Sequence, residues 1–259
     1  CFNEVTRKRF ELGKKLQWIK TLQDILAPTI AVMVNLSFTQ GVFPSSQKHG
    51  IVRPLLKKSN LNPLEFKSYR PISNLSFISK VVEKLAVQRF TAHSESNHLF
   101  PSHQSAYRKF HCTETAATAV HNDIIRAIDS GQVSALVLLD LSADFDTVHH
   151  STLQTILHDR FGVNSSALNW FESYHSGRTQ SLHVGKQSSA TSQLKRGVPQ
   201  GSIVCPVEFV SYTEDLVNLV SPSNILCHLF ADDTQLLTSM NLSTISSSRS
   251  NIETCISNI

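Results

Sequence analysis

The sequence predicts an α+β domain. Three observations carry that expectation. Apolar residues recur at helical spacing in several stretches, an almost unbroken apolar run over residues 133–139 ends in Asp140, and two short apolar runs flank Ala231-Asp232-Asp233 as a hairpin would. The chain has 259 residues, 41% of them hydrophobic and 17% charged, which excludes collagen, a coiled coil and wholesale disorder. No apolar run approaches the roughly 20 residues of a bilayer span, and the nearest, residues 25–34, is interrupted by Pro28. No signal peptide opens the chain, and residue 1 is Cys rather than Met, as in a fragment of something longer.

Each element has its own signal. Leu12, Leu16, Ile19, Leu22, Ile25 and Leu26 predict a helix from about residue 10 to 27 that bends or restarts at Pro28. Residues 51–56 read as a short strand. Tyr69-Arg70-Pro71-Ile72-Ser73 precedes a helical stretch over 76–90, and a second helix over 113–130 is closed by Gly131. The run 133–139 reads as a strand buried on both faces. Helices follow over 152–161, stopped by Gly162, and over 167–174. Residues 180–184 and 192–195 flank Gly185 as a hairpin, and one helix is expected over about 206–220. Strands at 227–230 and 234–237 complete the hairpin around the acidic pair. The Ser- and Thr-rich tail over 238–250 reads as mobile, and there is no internal repeat.

Charge is unevenly spread. Residues 1–90 carry 15 Lys+Arg against 5 Asp+Glu, and residues 91–259 carry 9 against 15. A basic part joined to an acidic part suits a protein that holds a polyanion at one end and cations at the other. The five Cys stand at 1, 112, 205, 227 and 255 without C-x-x-C spacing, which argues against a zinc ribbon or a disulfide framework and for a reducing, intracellular compartment. Nucleus and cytoplasm are not separated by the sequence. The 12 His are scattered without H-E-x-x-H and read as surface or satisfied core residues.

The carboxylates carry the chemistry. Taken alone, an acidic pair in a turn is a turn, because Asp suits tight turns and solvent. Here apolar residues flank Asp232 and Asp233 on both sides, and Asp140 ends a second apolar strand. Three carboxylates brought together repel unless cations neutralise them. Mg²⁺ binds one or two carboxylates and shares substrate phosphates, and two such ions stabilise the attacking and leaving oxygens of a displacement at phosphorus. The pattern points to phosphoryl or nucleotidyl transfer.

At these residues the sequence resembles a known family. Leu138-Leu139-Asp140-Leu141-Ser142-Ala143-Asp144-Phe145-Asp146-Thr147-Val148, then Gly197-Val198-Pro199-Gln200-Gly201-Ser202, then Phe230-Ala231-Asp232-Asp233-Thr234 are similar in order and spacing to the three central motifs of reverse transcriptases. Tyr69-Arg70-Pro71-Ile72-Ser73, His103-Gln104-Ser105-Ala106-Tyr107-Arg108-Lys109, Trp170-Phe171-Glu172-Ser173-Tyr174 and Ser176-Gly177-Arg178-Thr179 resemble motifs of the non-LTR (LINE-type) retrotransposon enzymes. The resemblance covers about residues 22–259, after a helical extension over 1–21. It implies a right-hand polymerase with fingers over about 22–130, palm over about 131–259, and the thumb absent or incomplete.

The resemblance also implies an RNA-directed DNA polymerase. Its partners would be an RNA template with a DNA primer and dNTPs, with no membrane. Asp140, Asp232 and Asp233 would hold two Mg²⁺, with Mn²⁺ as a substitute. One ion would lower the pKa of the primer 3′-hydroxyl and the other would bridge the incoming triphosphate. Ser142 and Ala143 would offer backbone N–H groups to that triphosphate, and Arg70 would grip it. Phe145 would be a steric gate against a 2′-hydroxyl. Gln200 and Gly201 would form the loop under the template–nucleotide pair. Arg108 and Lys109 would contact template or phosphate.

The sequence departs from the family's pattern at several positions. Ala106 and Phe110 stand where Gly is usual, which predicts a distorted loop. Asp144 stands for Ala and adds negative charge beside the triphosphate site; Cys205 stands for Gly; Phe230 stands for Tyr. Glu208 stands for Leu on a helix face expected to be buried, where an unpaired carboxylate costs several kcal/mol. These departures motivate an alternative: a catalytically inactive, truncated remnant acting at most as an RNA-binding module.

Overall fold

The structure is a computed structural model that describes residues 23–101, 103–140, 144–223 and 225–259. The helix expected over 10–27 lies outside these residues up to position 22, as does the whole 1–21 extension. From there α1 runs Gln23–Gln40 straight through Pro28, further than the sequence suggested. β1 (His49–Leu56) pairs antiparallel with β2 (Tyr69–Asn74), which the sequence reading did not assign as a strand. Pro54 and Pro71 sit opposite each other in this ladder. Neither can donate, and the arrangement is tolerated because β2 is an edge strand and Pro54 lies beyond the stretch of β1 that pairs with the next strand.

Helix α2 (Phe77–Ser96) starts where the Ser76 hydroxyl accepts the Ser79 N–H at 2.9 Å. It buries Val82, Ala86 and Phe90, one turn apart. Helix α3 (Thr113–Asp129) is capped by Cys112 with Thr115 and ends before Gly131 in a left-handed conformation. β3 (Val133–Asp140) follows, then α4 (Asp144–Thr147), α5 (His150–Asp159) and α6 (Ser165–His175).

β4 (Thr179–Val184) joins the first sheet parallel to β1, and β5 (Gln187–Ser188) and β6 (Ser192–Gln193) pair with β4. The two sheets therefore interleave along the chain. The helix expected over 206–220 is two helices, α7 (Cys205–Tyr212) and α8 (Leu216–Val220). β7 (Leu226–Phe230) and β8 (Asp233–Met240) form the expected hairpin. The tail read as mobile is instead α9 (Ile245–Asn258), ordered by burial of Ile252 and Cys255.

Two cores result. The larger is helical, joining α1, α2, α5, α6 and α7 around Phe43, Phe90, Phe161, Trp170, Phe171 and Tyr174. Trp170 Nε1 donates to the Ser37 hydroxyl at 3.0 Å and the Phe43 N–H donates to Ser173, so the Trp170–Tyr174 motif fastens α6 to the end of α1. The smaller core lies beneath the sheet β3-β8-β7. Ala135, Val137 and Leu139 pack there with Leu229 and Leu236 against α8 and α9.

That arrangement corrects the reading of β3 as buried on both faces. β3 is an edge strand, and Leu138, on the face it shares with Asp140, is 68% exposed. An uninterrupted apolar run does not distinguish a two-sided strand from an edge strand with one open apolar face.

Candidate active site

The three carboxylates stand at one end of the second sheet. In the β3–β8 ladder Asp140 is directly opposite Asp233, as Leu139 is opposite Thr234. Cross-strand partners lie on the same face, with Cβ atoms about 4.5–5.5 Å apart. Phe230 pairs with Asp233 across the hairpin, so Ala231 and Asp232 form a two-residue turn. Ala231 takes φ +57°, a positive value that the tight turns of two-residue hairpins require at their first central position. Asp232 is half-buried and Asp233 exposed. Desolvation, then the charges of Asp232 and Asp140, raises the Asp233 pKa above its ordinary value. Among the described residues no group of three or more His, Cys, Asp or Glu side chains could hold a metal ion by itself.

A segment before α3 braces this end of the sheet. Residues 103–105 run alongside β7: the Leu229 N–H donates to the His103 carbonyl at 3.0 Å, and the Ser105 N–H donates to the Leu229 carbonyl at 2.9 Å. Tyr107 has φ +57°, and its hydroxyl is shifted upward by burial and by the nearby Cys205 and Asp232 groups. Tyr107 and Gln104 therefore belong to the surroundings of the acidic turn. Sequence reasoning quoted both in a motif and gave neither a role.

The loop 197–204 is held from two sides. Gly197 and Val198 donate to the carbonyls of Val148 and Phe145, and a Cβ on Gly197 would lie 2.7 Å from the Phe145 carbonyl oxygen. On the other side the Ser73 N–H of β2 donates to the Gln200 carbonyl at 2.7 Å. Gly201 has φ +108°, and a Cβ there would stand 2.9 Å from the Ser73 carbonyl oxygen. Buried Glu83 accepts the Ile203 N–H at 2.8 Å and the Ser79 hydroxyl at 2.6 Å. The absence of a side chain at Gly201 thus lets the loop approach the backbone of β2.

The remaining site residues divide. Arg70 is exposed on β2, three positions before Ser73. The Phe145 ring is half-buried against Phe209, centroids 5.0 Å apart, at the border of the helical core. Ser142 and Ala143 lie outside the described residues, as does the side chain of Asp144. Arg108 donates to the carbonyls of Pro101 and Gln104, so its guanidinium is engaged in its own loop. Lys109 is exposed, with Nζ 4.9 Å from the Phe110 ring centroid.

Two departures are accommodated and one is strained. Ala106 is buried without a left-handed φ, its N–H donating to Gln104 Oε1 at 2.9 Å. Phe110 has φ +65°, a conformation that favours the missing glycine. Glu208 is buried as expected but not unpaired: Oε1 lies 2.8 Å from Nε2 of equally buried His175, whose ring stacks on His150. One carboxylate oxygen is thus partnered, while Oε2 is buried without a hydrogen-bond partner. Glu208 and His175 are 33 residues apart, and nothing in either local sequence announces the pair.

The chain is similar to known proteins in sequence and in fold. Residues 55–258 match the family described as reverse transcriptase (RNA-dependent DNA polymerase). The chain is 32% identical over 208 residues to the probable RNA-directed DNA polymerase from transposon X-element of Drosophila melanogaster, covering 79% of this chain and 22% of that protein. It is 26% identical over 225 residues to the RNA-directed DNA polymerase from mobile element jockey of Drosophila funebris, covering 85% of this chain and 24% of that one. The chain thus spans about a quarter of the length of these curated relatives. A structure of apo telomerase from Candida tropicalis, truncated from its C-terminal domain, superposes with a TM-score of 0.55 at 12% identity. It covers 86% of this chain and 51% of the telomerase chain. The α+β fold is polymerase-like.

Proposed function

The chain belongs to the reverse transcriptase family, as a domain of the non-LTR retrotransposon type, and from that premise we propose that it catalyses RNA-directed DNA synthesis at the Asp140–Asp233 end of its second sheet. The single observation that carries this reading is the register that sets Asp140 against Asp233, with Asp232 in the adjoining turn. Oxygen donors of this kind fit a hard divalent cation that completes its coordination with substrate phosphates and water. Bound there, Mg²⁺ supplies charge neutralisation for the triphosphate and acidifies the primer 3′-hydroxyl.

The chain's own residues orient the reactants in this reading. Asp140, Asp232 and Asp233 would hold the cations. Arg70, exposed on β2, offers a guanidinium to the triphosphate. Gln200 and Gly201, tied to the backbone of β2, support the template–nucleotide pair, and the exposed part of the Phe145 ring excludes a 2′-hydroxyl. Lys109 reaches template or phosphate, whereas Arg108 supports the loop that carries it. The interleaved sheets correspond to fingers and palm, with β1, β2 and β4 in the former and β3, β7 and β8 in the latter. Pairing of Glu208 Oε1 with His175 weakens one ground for the alternative of an inactive remnant.

Primer extension on an RNA template tests the reading. The full chain with Mg²⁺ should incorporate dNTPs, strongly prefer them to rNTPs, and lose that preference in Phe145→Ala. Absence of incorporation by a chain that melts cooperatively would refute the proposed activity.

A further inference from the structure

We propose that Gln104 is a positioning residue for the acidic turn, holding Ala231 so that Asp232 and Asp233 are set against Asp140. The inference rests on the functional reading above and assigns a task to a side chain that reading leaves idle. Gln104 is 1% exposed. Its Oε1 accepts two backbone N–H groups, from Ala106 at 2.9 Å and from Ala231 at 3.2 Å. One carbonyl oxygen therefore ties the segment beside β7 to the tip of the β7–β8 hairpin.

The turn needs such a tie. Ala231 is left-handed, and an alanine there lacks the freedom of glycine. A strained conformation persists where its surroundings over-determine it, and strain of this kind clusters at functional sites. The backbone pairs His103–Leu229 and Ser105–Leu229 fix Gln104 beside β7, so its side chain crosses to Ala231 from a rigid base. A neutral amide suits the place better than a carboxylate. It accepts the same N–H groups without adding a fourth negative charge near Asp232 and Asp233.

Hydrogen exchange and kinetics on the full chain test the assignment separately. Gln104→Leu should speed exchange of the Ala231 amide about tenfold while leaving Trp170, in the helical core, unchanged. Gln104→Glu keeps the acceptor and should hold Ala231 exchange near the parent rate. In primer extension Gln104→Leu should lower kcat about 100-fold with KM for dNTP little changed, since displacing the carboxylates by an ångström spoils the reacting geometry rather than nucleotide binding. Should Gln104→Leu not fold, Gln104→Asn, one methylene shorter, carries the same two measurements. Unchanged exchange at Ala231 overturns the inference, as does faster exchange with kcat intact. A parent chain that extends no primer overturns instead the functional reading, and the exchange result still decides whether Gln104 holds the turn.

Discussion

Asp140 and Asp233 face each other across the β3–β8 ladder, two carboxylates placed where neighbouring strands bring side chains closest together. Like charges directly opposite destabilise a sheet, and here desolvation and the charges of Asp232 and Asp140 shift Asp233 upward. The fold carries this unfavourable pair at one end of the sheet β3-β8-β7.

The sign of the resulting pH dependence follows. An Asp whose pKa is raised on folding stabilises the fold only below its unfolded value, and that contribution is lost as pH rises through the folded value. Asp233→Asn should therefore melt higher than the parent at pH 7 and show no such gain at pH 3. Thermal melts at the two pH values check this. A lower melting temperature for Asp233→Asn at pH 7 would contradict it.

Glu208 and His175 form a buried pair in which each is the other's partner. Glu208→Ala should cost about 3–5 kcal/mol, because it leaves His175 buried alone. Glu208→Leu combined with His175→Phe should recover most of that loss. Urea melts of Glu208→Leu, of His175→Phe and of the double variant give the coupling directly. Additive losses would show that the pair is not an energetic unit.

Two positions that lack the family's glycine should respond with opposite signs. Phe110→Gly relieves a left-handed φ and should stabilise by about 0.5–1 kcal/mol, the strain exceeding the added chain entropy. Ala106→Gly removes a buried methyl from an ordinary conformation and should destabilise by about 1 kcal/mol. Denaturant midpoints of both variants are the measurement. Equal signs would mean that the loop is not conformed as described.

Gly201→Ala places a methyl 2.9 Å from the Ser73 carbonyl at a φ that alanine resists. It should cost about 1–3 kcal/mol and detach the loop from β2. Primer extension should fall at least as far as stability does. A variant with unchanged melting temperature and unchanged extension would show that the loop does not depend on this approach.

Much of this was legible in the sequence, and the failures share a cause. The hairpin around Asp232 and Asp233, the strand ending in Asp140 and the helices around 76–90, 113–130, 152–161 and 167–174 follow from local periodicity and punctuation, and the structure has each within a few residues. What was missed depends on distant partners. β2 is a strand because β1 pairs with it, despite Pro71. The Ser-rich stretch forms α9 because Ile252 and Cys255 find a core under the sheet. Glu208 is paired because α6 brings His175 to α7. Residue type and motif single out the three carboxylates; neither singles out Gln104, whose proposed role depends on a hydrogen bond across 127 residues.

The most direct test of the account compares Asp140→Asn with the parent chain in Mg²⁺-dependent primer extension on poly(rA)/oligo(dT), with melting curves taken alongside. The account predicts extension by the parent, and a variant that melts at least as high yet extends nothing measurable. Equal extension by the Asp140→Asn chain would contradict it, because the carboxylate set opposite Asp233 would then have no part in the chemistry.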